Sequence, residues 1–160
     1  MGERNSERTI RVGIIGTGWV ATARHIPSYQ RDRRAKTVAI LDRDGNRANS
    51  VAKKFGIPSS FNSLDDFLKE PLDVVSICTP PQVHAPIVEA VIDAGKHVLV
   101  EKPMTMTSEE GRHLEYLSDE SGLTVCPAHN FKFSRSARKA ESLLANGQAG
   151  EVQSAMGVQL

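Results

Sequence analysis

The chain has 160 residues and a formal net charge of +1; 39% of the residues are hydrophobic and 24% are charged. This length predicts one domain that can bury a core without disulfides or metals. The balanced charge gives no support to a nucleic-acid or membrane partner, and no apolar run approaches membrane-spanning length.

The first residues and the cysteines indicate the cellular compartment of the protein. The start, MGERNSERTIRV, lacks the apolar segment of a signal peptide, so we expect a cytoplasmic protein whose residues 1–8 form a disordered tail. Cys78 and Cys126 both lie at or near the ends of predicted strands and have no CxxC spacing. We therefore expect two buried free thiols and no metal site.

Short β-branched runs alternate with helical patterns along the chain. The predicted strands are residues 9–15, 36–41, 60–61, 73–78, 96–100 and 123–126, and residues 152–158 are expected to be extended. The predicted helices are residues 19–30, 46–55, a short helix opening at 63–66, 83–94, 107–121 and 134–146. Pro27 should end or kink the first helix near Ile26. This alternation predicts an α/β fold, a Rossmann-like doubly wound parallel sheet with helices on both faces.

A glycine loop joins the first strand to the first helix. Its sequence, GTGWVA, matches the G-x-G-x-x-A form of the dinucleotide fingerprint. Gly16 allows the tight turn, Gly18 lets the backbone approach a pyrophosphate, and Ala21 is small enough for close helix–strand packing. The cofactor-binding candidates in this loop are Gly16, Thr17, Gly18, Trp19 and Val20. The alternative is that the glycines serve packing alone.

An acidic residue ends the second strand. Asp42 lies 24 residues after Gly18, near the spacing expected for a carboxylate that binds both adenosine ribose hydroxyls. Because a carboxylate repels a 2′-phosphate, Asp42 favours NAD over NADP. Arg43 leaves NADP possible, since a guanidinium pairs with phosphate. Alternatively, Asp42 only forms the turn in LDRDG.

The loop TPPQVH follows the strand that ends at Cys78, at the sheet edge where open α/β sheets bind ligands. Thr79, Pro80 and Pro81 are therefore expected to pack against the cofactor. His84, on the first turn of the next helix, is either a further cofactor contact or a histidine without chemistry.

Lys102 follows the next strand and is the strongest catalytic candidate. An ammonium there orients a substrate hydroxyl and stabilises a developing oxyanion. Burial would lower its pKa and allow it to share in proton transfer. Glu101 is expected to pair with Lys102 and to lie near the cofactor, while Asn130 could hydrogen-bond the nicotinamide or the substrate. The alternatives are a surface lysine and an ordinary loop cap.

Four segments together resemble the Gfo/Idh/MocA family of oxidoreductases, and the likeness runs from Ile10 to Val152. The segments are VGIIGTGWVA, ILDRD, SICTPPQVHAPIVEAVIDAGKHVLVEKP and HNFKFSRSARKAESLLANGQAGEV. The resemblance implies NAD(P)-dependent oxidation or reduction of sugars, cyclitols or related polyols. It also implies that Lys102 is the catalytic lysine and that Asn130 lies near substrate and nicotinamide.

The same resemblance implies a second, larger α/β domain after the Rossmann domain. We therefore expect residues 9–150 to form the dinucleotide-binding domain and residues 151–160 to begin a substrate domain that is missing here. The full-length form is expected to be a homo-oligomer, and this chain alone is expected to bind dinucleotide but turn over poorly. The alternative function is a non-catalytic dinucleotide-binding module or sensor that works with a separate partner subunit.

Overall fold

The structure, a computed structural model, describes residues 8–154 and 156, and within them six parallel strands form one sheet. The strands are β1 (Ile10–Ile15), β2 (Ala35–Leu41), β3 (Ser59–Phe61), β4 (Val74–Ile77), β5 (His97–Val100) and β6 (Val125–Pro127). The helices are α1 (Ile26–Arg31), α2 (Gly45–Phe55), α3 (Leu64–Leu68), α4 (His84–Asp93), α5 (Ser108–Ser121) and α6 (Arg135–Ala145). The strand order, β3-β2-β1-β4-β5-β6, is that of the dinucleotide-binding doubly wound fold, which confirms the predicted class.

Successive residues of the strands pack into different clusters, which places helices on both faces of the sheet. Ile14 of β1 belongs to one cluster with Ile26 of α1 and Ala52 of α2. Ile15, the next residue, belongs to the other cluster with Val88 of α4. Because neighbouring side chains of a strand point to opposite faces, both faces are covered, as a parallel sheet requires.

The first helix continues through the proline that was predicted to end or kink it. Residues Ala21–His25 form a π-helical turn, in which the Ile26 N–H donates to the Ala21 carbonyl. Pro27 then lies in the first turn of α1, directly after this π-helical turn. The helix accommodates Pro27 by changing its hydrogen-bond register at Ile26 and ends at Arg31.

The prediction for the cysteines is half right. Cys78 is a buried free thiol, and burial raises its pKa to about 12, so it remains neutral. Cys126 is exposed. It lies on the edge strand β6, where Val125 packs against the larger cluster and the next residue faces the other way.

The described residues divide into two compact units between Ala128 and His129. The second unit holds a 3-10 turn, Asn130–Phe133, and α6, whose N-cap Ser134 accepts a hydrogen bond from the Ala137 N–H at 3.2 Å. Of the segment 152–158 that was predicted to be extended, residues 152–154 and 156 are described and belong to no strand. Its other residues, and residues 1–7 of the predicted tail, lie outside the described residues. Within the part of the chain that is described, no helix is long and apolar enough to cross a membrane.

Candidate functional site: a cleft at the carboxyl edge of the sheet

Four strands end level with one another at the edge where the predicted site residues lie. Ile15 of β1 is in register with Leu41 of β2 and with Ile77 of β4, and Ile77 is in register with Val100 of β5. The next residues along these strands are Gly16, Asp42, Cys78 and Glu101. The point between β1 and β4, where the chain changes direction across the sheet, is where doubly wound folds bind ligands.

The two glycines of the loop differ in whether the structure leaves room for a side chain. Gly16 has a φ of +90°, and a Cβ built on it would lie 2.8 Å from the carbonyl oxygen of Cys78. A side chain is therefore excluded at Gly16 by both conformation and contact. A Cβ on Gly18 would meet nothing within 4 Å, so this position faces open space. Ala21 is fully buried against the sheet, as the fingerprint predicts.

A cavity of about 780 Å³ opens at this edge. The residues predicted from the sequence that line it are Gly16, Thr17, Gly18, Trp19, Val20, Asp42, Arg43, Thr79 and Pro80. The further residues that line it, which the sequence reasoning missed, include Arg47, Asn62, Leu64, Val83, Pro86 and Ile87. Val83, Pro86 and Ile87 have the i, i+3, i+4 spacing of one helix face, a signal that was present in the sequence.

Other predicted residues lie outside the cavity lining. Pro81 begins the short 3-10 turn before α4. His84 is fully buried: its Nδ1 lies 2.9 Å from the carbonyl oxygen of Pro103 and its Nε2 lies 2.8 Å from that of Thr79. Its ring thereby ties the loop after β4 to the loop after β5. Asn130 belongs to the second unit.

The pairing expected between Glu101 and Lys102 is wrong. The Glu101 carboxylate instead lies 2.9 Å from Nε2 of His25, whose Nδ1 lies 2.8 Å from the Ser76 hydroxyl. Its other oxygen accepts the Lys102 N–H at 3.2 Å. Lys102 lies past the end of β5 and is exposed. The predicted role of Lys102 in proton transfer depended on its burial, and the structure does not show that burial.

Asp42 is buried at the rim of the cavity and accepts five hydrogen bonds. Oδ1 accepts from the Asp44 N–H at 3.0 Å and from Arg47 Nη2 at 2.6 Å. Oδ2 accepts from the N–H and hydroxyl of Thr17 and from Arg47 Nε at 3.2 Å. Burial raises the pKa of Asp42, but the bonds from Arg47, Thr17 and Asp44 outweigh it and lower the pKa to about 2.

This network predicts how stability depends on pH. Because the pKa of Asp42 is lowered on folding, its contribution is complete above about pH 4 and is lost as the pH falls towards 2. The lowering of the Asp42 pKa from its ordinary value to about 2 corresponds to about 2 kcal/mol in the free energy of unfolding at neutral pH. Asp42→Asn should therefore lower the free energy of unfolding at neutral pH and flatten its fall between pH 4 and pH 2, as measured by denaturant titrations.

Asp32→Asn is the control for this prediction. The pKa of Asp32 is also lowered to about 2, through Arg34, but both side chains are exposed and solvent screens the pair. Asp32→Asn should change stability little. An acid dependence of Asp42→Asn identical to that of the parent would show that the Asp42 network does not form in solution.

Comparison with known proteins agrees with this geometry. Residues 10–129 match a family model, GFO_IDH_MocA, described as an oxidoreductase family with an NAD-binding Rossmann fold. The chain is 36% identical over 145 residues to an uncharacterized oxidoreductase of Synechocystis, covering 90% of this chain and 39% of that protein.

Two solved structures are similar and were determined with dinucleotide bound. A scyllo-inositol dehydrogenase from Lactobacillus casei, with NAD(H) and scyllo-inositol, is 26% identical with a TM-score of 0.84; the match covers 90% of this chain and 43% of that one. A 3-ketoreductase from Actinomadura kijaniata, with TDP-benzene and NADP, is 28% identical with a TM-score of 0.81; the match covers 88% and 44%. The chain thus spans less than half the length of these relatives.

Proposed function

This chain belongs to the GFO/IDH/MocA family of NAD(P)-binding oxidoreductases, and from that premise we propose that it is the dinucleotide-binding domain of a dehydrogenase for a sugar, cyclitol or similar polyol. The observation that carries the proposal is Gly18, which faces open space inside the cavity between the glycine loop and Thr79. A side chain would fit there sterically, so packing alone does not explain the glycine. Close approach by a ligand does.

The glycine loop has the groups that bind a pyrophosphate. The first bond of the helix that follows is donated by the Thr22 N–H to the Gly18 carbonyl at 3.1 Å. The N–H groups of Gly18, Trp19 and Val20 precede that bond and belong to a helix N-terminus, which attracts anions. The apolar side chains of Leu64, Val83, Pro86 and Ile87 line the same cavity and fit an adenine ring.

Lys102 is proposed as the catalytic residue. The nicotinamide, when bound, supplies the hydride chemistry that interconverts a carbinol and a carbonyl. The Lys102 ammonium would hydrogen-bond the reacting oxygen and stabilise the negative charge on it. His25 and Glu101 hold the end of β5, so the chain carrying Lys102 leaves the sheet from a fixed point.

The polyol substrate class is tested by a dehydrogenase screen. The longest natural form of the protein is incubated with sugars and cyclitols and with NAD or NADP, and reduced cofactor is followed by absorbance. Turnover of a polyol supports the proposal. Cofactor binding with no turnover of any polyol would favour the alternative, a dinucleotide-binding module that works with a separate partner.

A further inference from the structure

His25 contacts the residue that precedes Lys102. It is the last residue of the π-helical turn Ala21–His25, and its side chain is 9% exposed. Nδ1 lies 2.8 Å from the hydroxyl of Ser76, which is fully buried on β4, and Nε2 lies 2.9 Å from Oε1 of Glu101. Single π-turns are uncommon and are frequent at functional sites. This one places a nearly buried imidazole next to the proposed catalytic lysine.

The chemistry of its two partners fixes how His25 is bonded. An ionised carboxylate only accepts hydrogen bonds, so Nε2 of His25 carries the proton that is donated to Glu101. A neutral imidazole then accepts the hydroxyl proton of Ser76 at Nδ1. Both ring nitrogens are satisfied without a charge on the ring. His25 therefore holds the carboxylate of Glu101 by a hydrogen bond alone.

This arrangement leaves the ammonium of Lys102 unpaired. Glu101 accepts from His25 on one oxygen and from the main-chain N–H of Lys102 on the other, at 3.2 Å. The Glu101 side chain is only 18% exposed, so the neighbouring ammonium would have to leave water to reach it. Within residues 8–154 and 156, the Lys102 ammonium forms no ion pair and no hydrogen bond. It is therefore free to bind a ligand.

We propose that His25 is a positioning residue whose hydrogen bond turns the Glu101 carboxylate away from Lys102 and so keeps the ammonium available to the reacting oxygen. The inference rests on the proposed dehydrogenase function. Without the His25 N–H, Oε1 of Glu101 would be a partly buried acceptor with no donor, which is unfavourable. The carboxylate would then turn outwards and pair with the ammonium, whose flexible stem can reach it. An ammonium paired in this way stabilises the charge on a substrate oxygen less well.

The test compares His25→Asn with His25→Gln in the form of the protein that is active in the polyol screen. The amide nitrogen of an asparagine lies where Nδ1 does, so His25→Asn can bond Ser76 but cannot reach Glu101. That of a glutamine lies farther out, near the position of Nε2, so His25→Gln keeps a donor for Glu101. His25→Asn should lower kcat about 10-fold and leave the Kd of the cofactor unchanged, and His25→Gln should recover most of that loss.

A double variant separates this role from a merely structural one. Glu101→Gln removes the negative charge that would capture the ammonium. In that background His25→Asn should change kcat by less than about 2-fold, whereas a structural role predicts the same loss of about 10-fold in both backgrounds. His113→Asn is the matched control, because His113 lies 3.4 Å from the Glu89 carboxylate and both side chains are exposed. This control should keep the parental kcat.

His25→Leu replaces His25→Asn if that variant does not fold, since it too removes the donor to Glu101. An active parent whose kcat is unchanged by the loss of that donor would overturn this inference alone. A loss of the same size in the Glu101→Gln background would also overturn it alone. A parent that binds dinucleotide but turns over no polyol would overturn the proposed dehydrogenase function and the inference with it.

Discussion

Replacement of Gly18 by valine should leave the fold intact and weaken NAD and NADP at least about 100-fold. A Cβ at Gly18 meets nothing within 4 Å, so the folded chain has room for the side chain. The valine methyl groups would occupy the space through which a pyrophosphate reaches the N–H groups of the loop. The dissociation constants are measured by calorimetry, and the fold is checked by the melting temperature.

Gly16→Ala, two residues away, is the contrasting variant. Gly16 has a φ of +90°, and a Cβ there lies 2.8 Å from the Cys78 carbonyl oxygen. The left-handed conformation costs about 1–2 kcal/mol and the forced contact costs ~1–3 kcal/mol, so Gly16→Ala should lower the free energy of unfolding by about 3 kcal/mol. Gly18→Val with parental affinity would contradict the ligand role of the loop. Gly18→Val as unstable as Gly16→Ala would contradict the open space at Gly18.

Removal of the Lys102 ammonium should abolish most turnover and leave cofactor binding almost unchanged. Lys102 is exposed and lies outside the cavity lining, so Lys102→Met removes the charge without disturbing the residues around the dinucleotide. Loss of oxyanion stabilisation should lower kcat by a factor of about 10²–10³. The measurement uses the form of the protein that is active in the polyol screen.

Lys69→Met is the control for lysine removal. Lys69 is an exposed residue paired with Asp66 at 2.8 Å, on the α3 side of the domain. Its replacement should leave both kcat and cofactor affinity at the parental level. Parental kcat in Lys102→Met would remove Lys102 from the mechanism. A loss of cofactor affinity equal to the loss of kcat would make Lys102 a binding residue.

The elements of the fold that could be predicted are those set by local sequence. The strand runs, the helix caps such as Ser63 and Thr107, and the GTGWVA loop each have short-range signals, and the structure has them at those positions. Parallel pairing then brings the ends of β1, β2 and β4 to one edge without any further information.

The parts of the site that could not be predicted depend on contacts between distant residues. His25 and Glu101 are 76 positions apart, and no local pattern assigns the carboxylate to that histidine rather than to the adjacent Lys102. His84 has the same difficulty, since its two carbonyl partners lie in different loops. Arg47 is the exception, since it lies only five positions from Asp42; it was missed because a cation in the first turn of a helix does not by itself indicate that it binds a carboxylate in the preceding loop.

Trp19 makes possible the most direct test of the central claim, that the cavity beside the glycine loop binds a dinucleotide. It is the single tryptophan of the chain, it is 70% exposed, and it lines the cavity. Reduced nicotinamide absorbs at the wavelengths at which tryptophan emits. NADH or NADPH bound in the cavity should therefore quench Trp19 fluorescence to a saturating level and fluoresce by energy transfer from Trp19. Oxidised NAD or NADP should displace the reduced cofactor and reverse the quenching. A Trp19 emission that neither saturates with reduced cofactor nor recovers with oxidised cofactor, up to millimolar concentrations, would contradict the account.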